Sequence, residues 1–307
     1  MISKKTLVAS LLFIAGPVLA APFSYDLKPQ KITDNTWVLQ GKLEDFSNKN
    51  GGNIVNTGFV VTEEGVVVID TGPSLKYGKE MRKVIESVTD KPIKYVFNTH
   101  HHPDHFLGNQ AFKDLEILSL PKTQQQIKSD GNDFAENMYS LVGDWMRSTE
   151  VFLPTKTLDI DHLDLGSHRF KFSAFTGHTG SDLVIYDEKT GVLFASDIVF
   201  YQRALTTPHT PGLGVWIDEI NQLKNYKYKY LVPGHGPVTM DDRPLEQMTS
   251  YLKWLDKTLT ESAKAGLSMT EVIKLPISAE FDSIKLTKLE FIKTVAHLYP
   301  KYEDLYF

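Results

Sequence analysis

Thr99-His100-His101-His102-Pro103-Asp104-His105 closes a short apolar run at 93–98 that reads as a β-strand. Open α/β proteins place their chemistry at such strand ends. A tight turn there lets His100 and His102 point to one side and take up one metal ion. Asp104 and His105 then serve a second position close by. Imidazole nitrogens and carboxylate oxygens are donors that zinc accepts. His101 breaks the alternation and is expected to face away.

Three fragments further along the chain repeat the logic. Gly177-His178-Thr179-Gly180-Ser181 follows a strand, with glycine on both sides of the histidine to allow a sharp turn. Phe194-Ala195-Ser196-Asp197 ends another strand, and Pro233-Gly234-His235-Gly236 ends the last. Each places one metal-ligand type at a strand end or a glycine-bounded turn. His209 lies in a Pro-rich loop and is expected not to be a ligand; His162, His168 and His297 have no ligand context.

Between these fragments strands and helices alternate. Strands are expected at 31–40, 53–61, 65–70, 93–98, 116–120, 156–160, 169–175, 183–186, 192–195 and 230–232. Tyr77, Met81, Val84, Ile85 and Val88 recur at helical spacing; a polar helix-like stretch is expected from Pro121, followed by an amphipathic helix with Met138, Leu141, Val142, Trp145 and Met146. A further helix is expected at 216–226, and the tail reads as helices. No linker rich in Pro, Gly or Ser divides the chain, so one α/β domain over 21–307 is the expectation. Gly65-Val-Val-Val-Ile-Asp70 and Gly191-Val-Leu-Phe-Ala-Ser-Asp197 form a faint internal echo, two apolar strands that each end in Asp.

Composition narrows the chemistry. The 307 residues are 41% hydrophobic and 23% charged, which excludes collagen-like, low-complexity and largely disordered classes. There is no cysteine, so disulfides, thiol catalysis and thiolate-ligated metals are out. Residues 1–20, MISKKTLVASLLFIAGPVLA, combine Lys4 and Lys5 with an apolar run and a small-residue end, the pattern of a secretory signal peptide cut after Ala20. Its removal takes the formal charge from −5 to −7, as two lysines leave 31 basic against 38 acidic residues. The balance argues against nucleic acid or an anionic membrane as partner. The expected location is the periplasm, with no membrane contact after cleavage and a small molecule as substrate.

The order and spacing of these motifs resemble the metallo-β-lactamase superfamily, over the stretch from Asn53 to His235. The resemblance implies a four-layer αββα sandwich with a two-metal site at one edge. It implies that His100, His102 and His178 hold one metal, that Asp104, His105 and His235 hold the second, and that Asp197 bridges them. Asp70 would orient ligands by hydrogen bonds. Two zinc ions are the expected cofactors, with iron or manganese as the other metals such donors accept. Asp104 and Asp197 would hold the nucleophilic hydroxide. The penicillin-cleaving branch with a cysteine ligand is impossible here, and His102 departs from the glutamate of flavin-linked diiron relatives. Phe46-Ser, Asn50-Gly-Gly-Asn-Ile-Val-Asn-Thr-Gly-Phe59, Asp70-Thr-Gly-Pro-Ser, His105-Phe-Leu-Gly-Asn-Gln-Ala-Phe112 and Leu141-Val-Gly-Asp-Trp-Met-Arg147 are similar to the exported quinoprotein relay system zinc metallohydrolases. That similarity implies hydrolysis of an ester, thioester, lactone or related bond, and a quinoprotein or cytochrome partner.

Three readings compete with it. One is a β-lactamase with all-His/Asp ligands. Another is an iron-dependent oxidoreductase on the same ligands. The third is an exported metal carrier. Substrate selection is expected from segments 41–52, 130–147 and 201–214, with Tyr201, Arg203 and Trp145 as candidate substrate contacts.

Overall fold

The computed structural model describes residues 23–306; the proposed export segment lies outside them. Seven strands form the first sheet in sequence order: β1 (Gln30–Lys31), β2 (Thr36–Leu39), β3 (Thr57–Val61), β4 (Val66–Ile69), β5 (Ile93–Phe97), β6 (Ile117–Ser119) and β7 (Lys156–Thr157). Pairing is antiparallel up to β4 and parallel from β4 to β7. The second sheet contains β8 (His162–Leu165), β9 (His168–Phe175), β10 (Asp182–Asp187), β11 (Val192–Phe200) and β12 (Tyr230–His235), in the order β12-β11-β10-β9-β8. Only β11 and β12 are parallel there.

Period-two alternation sorts the side chains into layers. In β4, Val67 and Ile69 point into the layer between the sheets, where they meet Phe170, Phe172, Ile185 and Phe194 of the second sheet. Val66 and Val68 point the other way, onto Tyr77, Met81 and Ile85 of helix α1 (Leu75–Val88). Two short and long helices, α2 (Pro103–Phe106) and α3 (Pro121–Val142), follow on the first-sheet side. The outer face of the second sheet is covered by α4 (Leu213–Leu223), α5 (Arg243–Lys264) and α7 (Thr287–Glu303), with the short α6 (Met269–Val272) between the last two; Trp216, Leu252, Leu255, Phe291 and Val295 fill that layer. The result is helices outside two packed sheets, the expected αββα sandwich. Among the described residues, no helix is long and apolar enough to cross a membrane.

The boundaries correct several expectations. The strand expected at 31–40 is two strands joined by a turn, and β8 had no counterpart in the reading. The helix carrying Met138 and Val142 starts at Pro121, runs 22 residues and stops at Gly143, which takes φ +65°. Trp145 and Met146 therefore sit in a following 3₁₀ turn.

Candidate metal centre

The histidine-rich turn is built by its neighbours in the first sheet. Asn98, just beyond β5, donates its N–H to the Leu118 carbonyl. The Thr99 N–H and hydroxyl both donate to Asp70 at the end of β4, each at 2.8 Å. His102 then stands before Pro103, the first residue of α2, where a missing N–H costs nothing. Proline keeps His102 extended (φ −72°, ψ 147°), so its ring leaves the direction of the helix that carries Asp104 and His105.

Three strand ends of the second sheet complete the cluster. The turn after β9 carries His178. The Asp182 carboxylate accepts the N–H groups of His178 and Thr179 and the Thr179 hydroxyl. Glu219 of α4 accepts from Thr176 and Gly177 on the other side. In β11 the register slips around Ser196, which takes φ +49°, and the bulge turns Asp197 toward the histidines. His235 ends β12 and donates from Nδ1 to the Ile54 carbonyl at 2.8 Å.

The seven side chains converge. Donor atoms of His100, His102, His178 and Asp197 lie within 4.8 Å of one another, as do those of Asp104, His105 and His235. Asp197 faces both sets: Oδ2 is 3.3 Å from His178 Nε2 and 3.2 Å from His235 Nε2, and Oδ1 is 3.2 Å from His105 Nε2. Asp104 Oδ2 is 3.5 Å from His235 Nε2. His178 Nε2 is 2.9 Å from His102 Nδ1.

Burial makes this arrangement costly unless something fills it. His100 Nε2, Asp104 Oδ2, His105 Nε2 and Asp197 Oδ1 are all buried without a hydrogen-bond partner. Orphaned polar atoms cost about 1–3 kcal/mol each, and four aimed at one space fit a cation between them. Burial, then the neighbouring histidines, hold His100 and His102 well below the usual imidazole range, which leaves their nitrogens free to donate lone pairs. Burial likewise opposes charge on His105, but the carboxylates of Asp197, Asp70 and Asp104 outweigh it and hold that imidazole well above its usual range. Burial also disfavours the Asp197 carboxylate, yet His235 and His105 keep it ionised far below the ordinary value. A cation taking the place of the His105 proton would meet the anionic and neutral donors that zinc accepts.

The imidazoles are braced from behind. His105 Nδ1 meets Asp70 Oδ2 at 2.8 Å. His100 Nδ1 is 3.1 Å from the Thr99 hydroxyl and 3.3 Å from that of Ser196. Such contacts set ring orientation and tautomer.

A cavity of about 380 Å³ opens onto His102, Asp104, Asp197 and His235. Its walls draw on all three segments expected to select substrate: Asp45 and Phe46, then Phe134, Asn137 and Leu141, then Arg203, Thr206, Pro208 and His209. Lys293 of α7 adds a contribution from the tail. The individual substrate-contact candidates fare differently. Trp145 is in the core instead, packed on Gly51 and Tyr25, with Nε1–H donating to the Asn48 carbonyl. Tyr201 is buried behind His235 and donates its N–H to the His235 carbonyl. Arg203 does reach the wall, but its guanidinium lies 3.6 Å from the buried Glu290 carboxylate, which neutralises it.

Some site residues escaped the sequence reading. Asp182 and Glu219 shape the His178 turn, and Ser196 supplies the left-handed step before Asp197. Ser181-Asp182, four residues after a histidine in a Gly-rich turn, was a signal for the first. Nothing local pointed to Glu219. His209, expected not to be a ligand, has its Nδ1 2.8 Å from His102 Nε2. His101 is buried beside His209 and Phe134, outside the two donor sets around Asp197.

Comparison with known proteins bears on the family and the fold. The family model described as the metallo-β-lactamase superfamily matches residues 50–235. The linear primary-alkylsulfatase of Pseudomonas sp. (strain ATCC 19151) is 24% identical over 265 residues, covering 69% of this chain and 48% of that protein, so the chain spans about half its length. The metallo-β-lactamase type 2 of Bacillus sp. (strain 170) is 27% identical over 216 residues, 68% of this chain and 76% of that protein. Among solved structures, a metallo-β-lactamase from Pontibacter korlensis superposes with a TM-score of 0.60 at 24% identity, over 74% of this chain and 99% of the other.

Proposed function

The chain belongs to the metallo-β-lactamase superfamily, and from that premise we propose that it is an exported dinuclear zinc hydrolase of an ester, thioester, lactone or related bond. His100, His102 and His178 would hold one cation and Asp104, His105 and His235 the other. The observation that carries the reading is Asp197, whose two oxygens face donors of both sets from within a shell of unpartnered buried atoms. A single-metal site needs no carboxylate placed between two donor sets.

A bound cation pair supplies an acidified water as nucleophile and a Lewis acid for the substrate oxygen. The chain does the rest. The apolar walls from Phe46, Ile54, Phe134, Leu141 and Pro208 strip water from an apolar substrate body and orient it over the cluster. Asp104, which also lines the cavity, is placed to receive the proton that the attacking water gives up and pass it to the leaving group. Asp70 and Thr99 keep His105 and His100 from rotating while this happens.

The relatives' names bring sulfate esters and β-lactams into the substrate panel. β-Lactam hydrolysis is the second reading, favoured by the likeness to metallo-β-lactamases. Export to the periplasm and a quinoprotein or cytochrome partner belong to the same proposal; they rest on the reading of residues 1–20 and on the motifs outside the ligands.

The test is a metal count on protein lacking residues 1–20, followed by parallel assays with thioester, lactone, phosphodiester, alkyl sulfate and chromogenic β-lactam probes. Two bound cations per chain with turnover of an acyl ester or thioester is the expected result. Fast opening of the β-lactam alone would favour the second reading. Absence of tightly held metal after remetallation would end both.

A further inference from the structure

Four of the five histidines that turn a nitrogen toward the cluster find a partner for the second ring nitrogen; the exception is His178, whose Nδ1 is buried without one. His105 uses Asp70, His235 the Ile54 carbonyl, and His100 the hydroxyls of Thr99 and Ser196. His102 uses His209, Nε2 to Nδ1 at 2.8 Å. Asp70, Thr99 and Ser196 lie in or beside strands, and Ile54 lies in the loop before β3. His209 comes from the 201–212 loop between β11 and α4, and its exposed ring also lines the substrate cavity.

That loop is pinned on both sides of His209. The Thr210 hydroxyl donates to the Gly177 carbonyl, next to His178. The Thr207 hydroxyl bonds Thr294 of α7 at 2.9 Å, and the Thr206 hydroxyl bonds Glu290 at 3.1 Å. The ring packs edge-on to Phe134, with planes at 89°. A side chain clamped this way has lost the freedom that an exposed loop residue usually keeps.

The tautomers follow from the geometry. His102 turns Nδ1 to His178 and the cluster, so Nδ1 must carry the lone pair and Nε2 the proton. Nε2–H therefore donates to His209 Nδ1, and the His209 proton sits on its own Nε2. We propose that His209 is a positioning residue: it holds His102 in the tautomer and ring orientation that metal binding requires, and thereby couples the metal affinity of that position to the 201–212 loop. The inference rests on the reading of His102 as a ligand.

The experiment compares His102→Ala, His209→Ala and His209→Asn with the parent, each stripped of metal and reloaded with zinc or cobalt(II). Zinc retention is read by chelator competition, cobalt by its visible ligand-field bands, and folding by circular dichroism of the metal-free proteins. His102→Ala should empty one position. His209→Ala should weaken zinc at that position by about 10–100-fold, shift the cobalt bands, and leave the other position and the fold unchanged. His209→Asn offers Oδ1 as acceptor in place of Nδ1, and should recover retention to within about threefold, a small part of the range such contacts command. Full zinc retention in His102→Ala would overturn the ligand reading and this inference together. Loss in His102→Ala with parent-like zinc retention and cobalt bands in His209→Ala would overturn the inference alone. So would a failure of Asn to rescue. A third equivalent of metal in the parent that His209→Ala abolishes would make His209 a ligand beside His101 and His102, and would also overturn it.

Discussion

The two sheets contain the same device, used differently. In the first, the hairpin β3–β4 leads through α1 to β5, parallel to β4, and on to the His100 turn. In the second, the hairpin β10–β11 leads through α4 to β12, parallel to β11 and ending in His235. The echo between the segments ending in Asp70 and Asp197 thus has a structural counterpart. Each segment carries a non-glycine residue in the left-handed region where the chain turns toward the cluster: Asp70 itself at φ +58°, but Ser196, one residue before the aspartate, at φ +49°. That offset separates their roles. Asp70 lies behind Thr99 and His105 and bonds both. Asp197 continues in a bulged strand and faces five groups of the cluster's interior. A backbone step of one residue decides whether a strand-end carboxylate braces a ligand or serves as one.

Replacing the two aspartates breaks the comparison most directly. Asp197→Asn should empty both metal positions and reduce hydrolysis to background. Asp70→Asn should keep both metals but weaken the His105 position by about 10–100-fold in chelator competition. Equal losses in the two variants would erase the distinction.

Metal itself gives the next effect. Saturating zinc at about a thousand times its dissociation constant should stabilise the parent by about 4 kcal/mol, read as a rise in melting temperature. The rise should vanish in Asp197→Asn and survive in Asp70→Asn.

A glycine in each half sharpens the contrast further. A Cβ on Gly234 would meet Asp197 Oδ1 at 1.9 Å, so Gly234→Ala should displace that carboxylate and cost metal retention above all. Gly72 has φ +85°, and its Cβ would fall 2.0 Å from the Tyr77 ring. Gly72→Ala should therefore cost about 2–3 kcal/mol in thermal stability, with the metal positions intact in the protein that still folds. The smallest effect is expected at Trp145, outside the cavity. Trp145→Phe loses the bond to the Asn48 carbonyl and about 1 kcal/mol of stability, with kcat/KM unchanged. A tenfold fall in kcat/KM would return Trp145 to the substrate pocket.

Much of this is legible in the sequence. Val66 to Ile69 alternate between two buried layers, and a buried strand advertises itself as an unbroken apolar run. His100, His102, Asp104 and His105 lie within six residues, so their spacing already restricts where they can point. Helix ends were less legible: Gly143 stops α3 by adopting a left-handed conformation, whereas the apolar stripe continues past it to Trp145 and Met146.

Local spacing encodes direction along one strand, turn or helix, because the periods of 2 and 3.6 residues are properties of the backbone. It therefore determined the ligand types, the strand-end positions and the alternation of layers. It carries no term for packing between segments far apart in the chain. Only the folded chain decided that Glu290 neutralises Arg203, that Trp145 turns into the core, that a bulge at Ser196 aims Asp197, and that His209 reaches His102 across 107 residues.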